Sequence, residues 1–350
     1  MAPHKPALVA IFLAALFSCG DDHRDTRAGD RRDAAVAGRD GGVAPADDAG
    51  AWQPPVVDPP DPDAGEAFFL SQTGLYRDIA DKRPAPDLLE FEPSYELWSD
   101  GADKRRWLRL PPGSAIDSSD PDHWQFPVGT MVFKEFSHDG RRLETRLIMR
   151  TGPGERDYWM GAFVWDDDEA DARLVPDGRE DVRASTHDAP SVKNCFTCHN
   201  GEPGRVLGFS AVQQPDAAAE LLSDPPASAF AVPGDAATAA ALGYLHANCG
   251  NCHNPGGTAR PDTDMDLRLN VADAQPELTQ THLTTVGVAM QYFQGSPLTL
   301  RVDPGHADES GVLFRMLERG PKTQMPPIAS EVADERGVAI VRTWIDGRKR

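Results

Sequence analysis

Two short motifs constrain this chain more than anything else in it: Cys195-Phe-Thr-Cys198-His199 and, about fifty residues later, Cys249-Gly-Asn-Cys252-His253. Both read C-x-x-C-H, and they hold four of the chain's five cysteines. Two thiols at this spacing reach two vinyl groups on one edge of a porphyrin, and the adjacent imidazole then ligates the iron from below. A Cys₄ zinc site has the same pairs of cysteines but does not call for a histidine after each. A redox dithiol wants a βαβ context that neither pair has. The pattern predicts two covalently bound haem c groups. Cys195, Cys198, Cys249 and Cys252 are the attachment residues, and His199 and His253 the proximal ligands.

The N-terminus agrees with this chemistry, because haem c is attached outside the cytoplasm. Lys5 precedes an apolar run from Ala7 to Phe17, too short to span a bilayer as a helix and typical of a secretory signal. Leu16-Phe-Ser-Cys19-Gly20 resembles the bacterial lipobox, which implies cleavage before Cys19, its acylation and stable membrane anchoring. Gly20 stands where enteric bacteria place an inner-membrane retention aspartate, so the outer membrane is expected, with the protein facing the periplasm. Residues 20–66 contain 11 Asp, 9 Ala, 7 Gly and 6 Pro, with 12 acids against 5 arginines. Such a segment buries too little apolar surface to offset its ordering entropy and reads as a disordered tether. The whole chain carries a formal net charge of −20, which excludes nucleic acid as a partner.

From residue 67 to 210 the pattern is β-rich. Alternation over 129–136, 141–150, 158–165 and 172–175, broken by Asp139-Gly140 and other turn signals, predicts an antiparallel meander. Leu143, Thr145, Leu147 and Met149 are expected on one face, and Trp107, Trp124, Trp159 and Trp165 as core. Residues 211–234 read as a linker. In 235–350, helices are predicted over 236–248, capped by Asp235, and over 334–347, with Gly347 as C-cap. Asp262-x-Asp264-x-Asp266 begins like a calcium loop, but Leu267 stands where that loop needs glycine, so it reads as polar loop.

Residues 235–348 resemble a class I cytochrome c: a helix leading into the haem motif, a last helix crossing it through a glycine–aromatic contact, and Gly320-Pro-Lys-Thr-Gln-Met325-Pro-Pro327 between. That resemblance implies Met325 as distal ligand of the second haem, its loop stiffened by proline. Tyr95-Glu-Leu-Trp-Ser-Asp-Gly101, 126–136, the first motif and Val206-Leu-Gly-Phe209 resemble a poorly characterised family of exported bacterial dihaem cytochromes over about residues 67–348. A sheet domain closing on its haem motif is also similar to the cytochrome c′-beta type, which implies an open iron at His199 with Phe133, Phe136 or Trp159 above it. Met131, Met149 and Met160 are the alternative distal ligands. The expected fold is thus multidomain α+β, and the expected function electron transfer between extracytoplasmic redox proteins. The alternative is a peroxidase or small-molecule reductase working at an open His199 haem. His123, His138 and His187 are its candidate acid–base groups, and spacing selects none of them.

Overall fold

The computed structural model describes residues 52–61, 64–291, 298–320 and 323–349. The signal segment, Cys19 and most of the tether lie outside the described residues. By its internal contacts the chain divides into Met1–Gly42 and Val43–Arg350, and all the described residues belong to the second unit.

The elements run β1 (Tyr76–Asp78), β2 (Arg83–Pro84), β3 (Leu89–Glu90), β4 (Asp103–Arg109), β5 (Met131–His138), β6 (Arg141–Arg150), β7 (Tyr158–Trp165) and β8 (Ala172–Leu174). Helices α1 (Val192–His199), α2 (Ala236–Asn248), α3 (Gln280–Thr285), α4 (Gly311–Leu317) and α5 (Glu335–Asp346) come after them. β1 and β2 pair alone, and β3 to β8 form one six-stranded antiparallel sheet in sequence order. The molecule is therefore mixed α+β, with sheet and helices in succession. The four strands expected from alternation are β5 to β8, each end within two residues. β4 lies outside that expectation: Lys104-Arg-Arg106 masks its alternation, yet it pairs along its whole length with β5.

One sheet face carries Met131, Phe133, Leu147, Met149 and Phe163, packed on Leu70, Leu75, Trp107 and Trp165. A bulge between Phe136 and Ser137 shifts the register opposite Leu143. Leu143 is thereby separated from Leu147 and Met149 and joins Ala162, Val164, Val182 and Ala189 instead. Trp107, Trp124 and Trp165 are core, as expected, whereas Trp159 is partly buried and donates to the carbonyl of Pro60 at 3.1 Å. Part of the expected tether is thus in contact with the sheet: Trp52 Nε1 donates to Asp87 at 3.0 Å, and Val57 packs on the core. Proline-rich extended chain needs no ladder partner, so a few apolar side chains suffice to dock it. The expected linker is also tied down, with 211–213 buried and Ile116 bridged to Leu222.

α2 begins where Asp235 accepts from Thr238 N at 2.8 Å, and α5 where Asp334 accepts from Gly337 N at 2.9 Å. The two helices cross with the Tyr244 ring on Gly337, where an added Cβ would lie 2.2 Å from the ring. Gly243, the other glycine of this region, receives a different aromatic: Tyr95, 2.1 Å from where its Cβ would be. Tyr95 comes from the sheet half. Nearby, Trp98 N donates to Asn248 Oδ1 at 2.7 Å, and Asp100 accepts from Glu331 N at 2.8 Å and Val332 N at 3.2 Å. Residues 95–100 are the seam that joins the sheet half to the helical half.

Candidate functional site

Ser191 caps α1 by accepting from Asn194 N at 3.2 Å, and the single helical run Val192–His199 carries the whole first motif. Cys195 and Cys198, three apart on a helix, share a face, and both line a pocket with His199. The pocket is partly open to solvent. Its floor is the second sheet face, in two register rows. Leu108, Val132, Ile148 and Met160 form an apolar row; Arg106, Lys134, Arg146 and Ala162 form the next. Val206 to Phe209 make another wall, with the Phe209 ring tilted 4.5 Å from that of Phe91 and edge-on 5.3 Å from that of Phe126.

The cationic row is incompletely neutralised. Arg146 donates to Glu144 at 2.7 and 2.9 Å, and Arg106 to Glu96 at 3.0 Å. Arg106 Nη1 is buried without a partner. Lys134 has no carboxylate within ion-pair distance among the described residues; its ammonium sits 4.8 Å from the Phe136 ring. Burial, then the flanking Arg106 and Arg146 charges, hold its pKa well below the usual lysine range. A wall with one apolar row and one row short of negative charge suits a flat apolar group bearing carboxylates.

The tautomer of His199 is fixed. Its Nδ1 lies 2.6 Å from the Arg205 carbonyl, which can only accept, so Nδ1 carries the proton and Nε2 keeps its lone pair. Burial pushes the His199 pKa down to about 4, so the ring is neutral and competent as a metal ligand. Burial raises the Cys195 thiol to about 11 and Cys249 to about 12, away from the lowered pKa of a redox dithiol, whereas Cys252 is lowered to about 7. The four thiols do not converge into a zinc cage. The one group of three or more such ligand atoms within 4.8 Å of one another, among the described residues, is Asp303, His306 and Glu309.

The second motif starts at the C-cap of α2. Cys249 packs on the α2–α4–α5 core, and burial keeps His253 neutral, with its pKa near 4. His253 Nδ1 is buried without a partner. Arg315 of α4 acts electrostatically on His253, its carbonyl accepts from Met325 N at 2.8 Å, and its Nε donates to Thr323 O at 2.8 Å. Met325 is half-buried in this loop, whereas Met316 is core and Met290 lies against Gly311.

The two motifs touch. The Cys198 and Cys252 thiols are close enough that their interaction raises Cys198 and lowers Cys252. Cys252 Sγ lies 3.9 Å from the Thr197 carbonyl, which also accepts from Thr258 Oγ1 at 2.9 Å. Gly201 lies so close that an added Cβ would be 2.2 Å from the Asn251 carbonyl oxygen. Arg268 closes the contact, donating to Gly201 O at 3.3 Å and to Glu202 at 2.7 Å.

Of the distal candidates, Met160 lines the pocket, while Met131 and Met149 belong to the opposite face. Phe133 borders the pocket but also packs on that opposite face, Trp159 packs against it, and Phe136 lies beneath Lys134 and Arg146. None of His123, His138 and His187 lines the pocket. His123 pairs with Glu202 at 3.2 Å, His187 with Glu144 at 2.7 Å, and His138 is exposed. The histidine that does line it, besides His199, is His246 of α2. A lone histidine in an Ala-rich helix gives no sign of this; its spacing of three residues before Cys249 is the available cue. Compared with known proteins, the chain matches no family model, no curated protein and no solved structure.

Proposed function

We propose that the protein is a dihaem c-type cytochrome that passes electrons between extracytoplasmic redox proteins, held to a membrane by lipid on Cys19. Among the described residues no helix is long and apolar enough to cross a membrane. The observation that carries the reading is the meeting of the two C-x-x-C-H motifs, with Cys252 against the Thr197 carbonyl and Gly201 against Asn251, beside a pocket of apolar and cationic rows. Two carriers acting independently would need no such contact.

Haem c supplies a one-electron iron couple when bound. The chain's own residues do the rest. Cys195, Cys198, Cys249 and Cys252 fix the two groups; His199 offers a lone pair oriented by the Arg205 carbonyl. His253 and Met325 are the proposed ligand pair for the second site; Arg315, whose charge acts on His253, holds the Met325 loop through its carbonyl. The α2–α5 crossing at Tyr244 and Gly337 supports a class I cytochrome c arrangement in the helical half. The sheet wall over α1 supports a cytochrome c′-beta-like arrangement in the other. The excess of acid over base suits a basic redox partner, and the outer membrane is the proposed location. A second reading, an enzyme at an open His199 haem, is favoured by the apolar floor of Val132 and Ile148 in the pocket beside His199.

The test is haem staining of denaturing gels. Two covalent haems per chain are expected. Cys195→Ala with Cys198→Ala should halve the haem content, as should the Cys249/Cys252 pair. Stoichiometric zinc with no haem would refute the reading.

A further inference from the structure

We infer that the pocket beside the first motif is a binding site for a small inorganic anion, with the Nε2–H of His246 as its hydrogen-bond donor. The inference rests on the haem reading of Cys195, Cys198 and His199.

Two histidines line this pocket, and the backbone fixes them as opposite tautomers. His199 Nδ1 faces a carbonyl, so its Nε2 is a lone pair. His246 Nδ1 faces the amide of Leu269, which donates to it at 3.0 Å. That nitrogen is therefore the acceptor, and the proton of the neutral ring sits on Nε2. His246 is 8 % exposed, and among the described residues Nε2 makes no hydrogen bond yet is not one of the fully enclosed unpaired atoms. It is open to the pocket, where a ligand group can accept from it. Because Nε2 holds a proton, His246 is not a second axial ligand to the iron. It is placed to donate to something that enters the pocket. Burial pushes its pKa down to about 3, so the ring stays neutral and keeps this single donor.

The charges of the pocket select the class of ligand. Of the cations that line it, Arg106 is paired with Glu96, Arg146 with Glu144 and Arg268 with Glu202, which leaves the Lys134 amine without a carboxylate among the described residues. An anion that accepts one hydrogen bond and can bind ferric iron answers both the open donor and the unpaired amine.

Fluoride is the probe. With both haems in place, the oxidised protein should show a high-spin component, and fluoride should bind one haem per chain. His246→Phe should weaken that binding about tenfold or more, a hydrogen bond to a charged group converted at one decade per 1.4 kcal/mol. The absorption of the His253 haem serves as the check that this variant is folded. Wild-type protein with two low-spin haems and no fluoride binding would overturn the site while leaving the dihaem reading intact, and this holds whether or not the variant folds. Equal fluoride affinity in wild type and His246→Phe would overturn the role of His246. A chain without covalent haem would remove both readings together.

Discussion

Gly201→Ala tests the contact between the motifs. Gly201 follows His199 by two residues, and a Cβ there would lie 2.2 Å from Asn251 O, 2.7 Å from Asn254 Nδ2 and 3.2 Å from Gly257 Cα. Real Cβ atoms essentially never come within 3.0 Å of such a neighbour, so the Asn251 carbonyl must retreat by about 0.8 Å. It has little room to do so. Asn251 is the third residue of the second motif, and its neighbours are held by Asn254 Nδ2, which donates to Gly250 O at 2.7 Å and Asn251 O at 3.2 Å. Overpacking of this kind costs about 1–3 kcal/mol. For a unit of this size that lowers Tm by roughly 2–10 °C. Gly256→Ala is the control: its Cβ would meet nothing nearer than 3.6 Å, and its φ is ordinary. The assay is a thermal melt of the haem-loaded protein followed by Soret circular dichroism. At low temperature the wild-type Soret signal should differ from the sum of the two single-motif variants, because two chromophores attached at neighbouring cysteines couple. Gly201→Ala should weaken that difference as it lowers Tm. If Gly201→Ala melts like Gly256→Ala and leaves the coupling unchanged, the packing argument fails.

The remaining predictions concern the ion pairs and the second ligand. Glu144 is fully buried and accepts from Arg146 and His187, so Glu144→Gln should cost about 3–5 kcal/mol in chemical denaturation by leaving Arg146 unpaired. Burial alone would raise its carboxyl, but the Arg146 charge and the hydrogen bonds from His187 and Arg146 outweigh it and hold the pKa below the ordinary value. The contribution is therefore complete above about pH 4.3, the unfolded value, and is lost as pH falls through the folded one, so the wild-type advantage should shrink in acid. Met325→Ala should abolish a near-infrared methionine-to-iron band and create a high-spin signal at the second haem alone. Survival of that band would refute the ligand assignment.

What the sequence made legible was local. The ends of β6 and β7 and the Asp235 cap follow from alternation and capping chemistry over a few residues. What stayed hidden was non-local. Arg106, Lys134 and Arg146 alternate with apolar residues as a solvated strand face would, yet α1 and the 206–209 wall cover them. Nothing near Tyr95 announces that its ring fills the space above Gly243, about 150 residues away. His246 resembles any helical histidine until the Leu269 amide settles its tautomer. The meeting of Cys198 with Cys252 arises only from folding.

The seam at Tyr95, Trp98 and Asp100 has a consequence for inheritance. A helical half cut out at residue 235 would leave behind the ring that fills the Gly243 notch, the amide that Asn248 accepts from and the carboxylate that caps 331 and 332. Unlike a cassette that can be shuffled between genes, this half carries a socket shaped for its neighbour. Gene fusions that borrow it should carry the 95–100 segment along or bring a substitute plug.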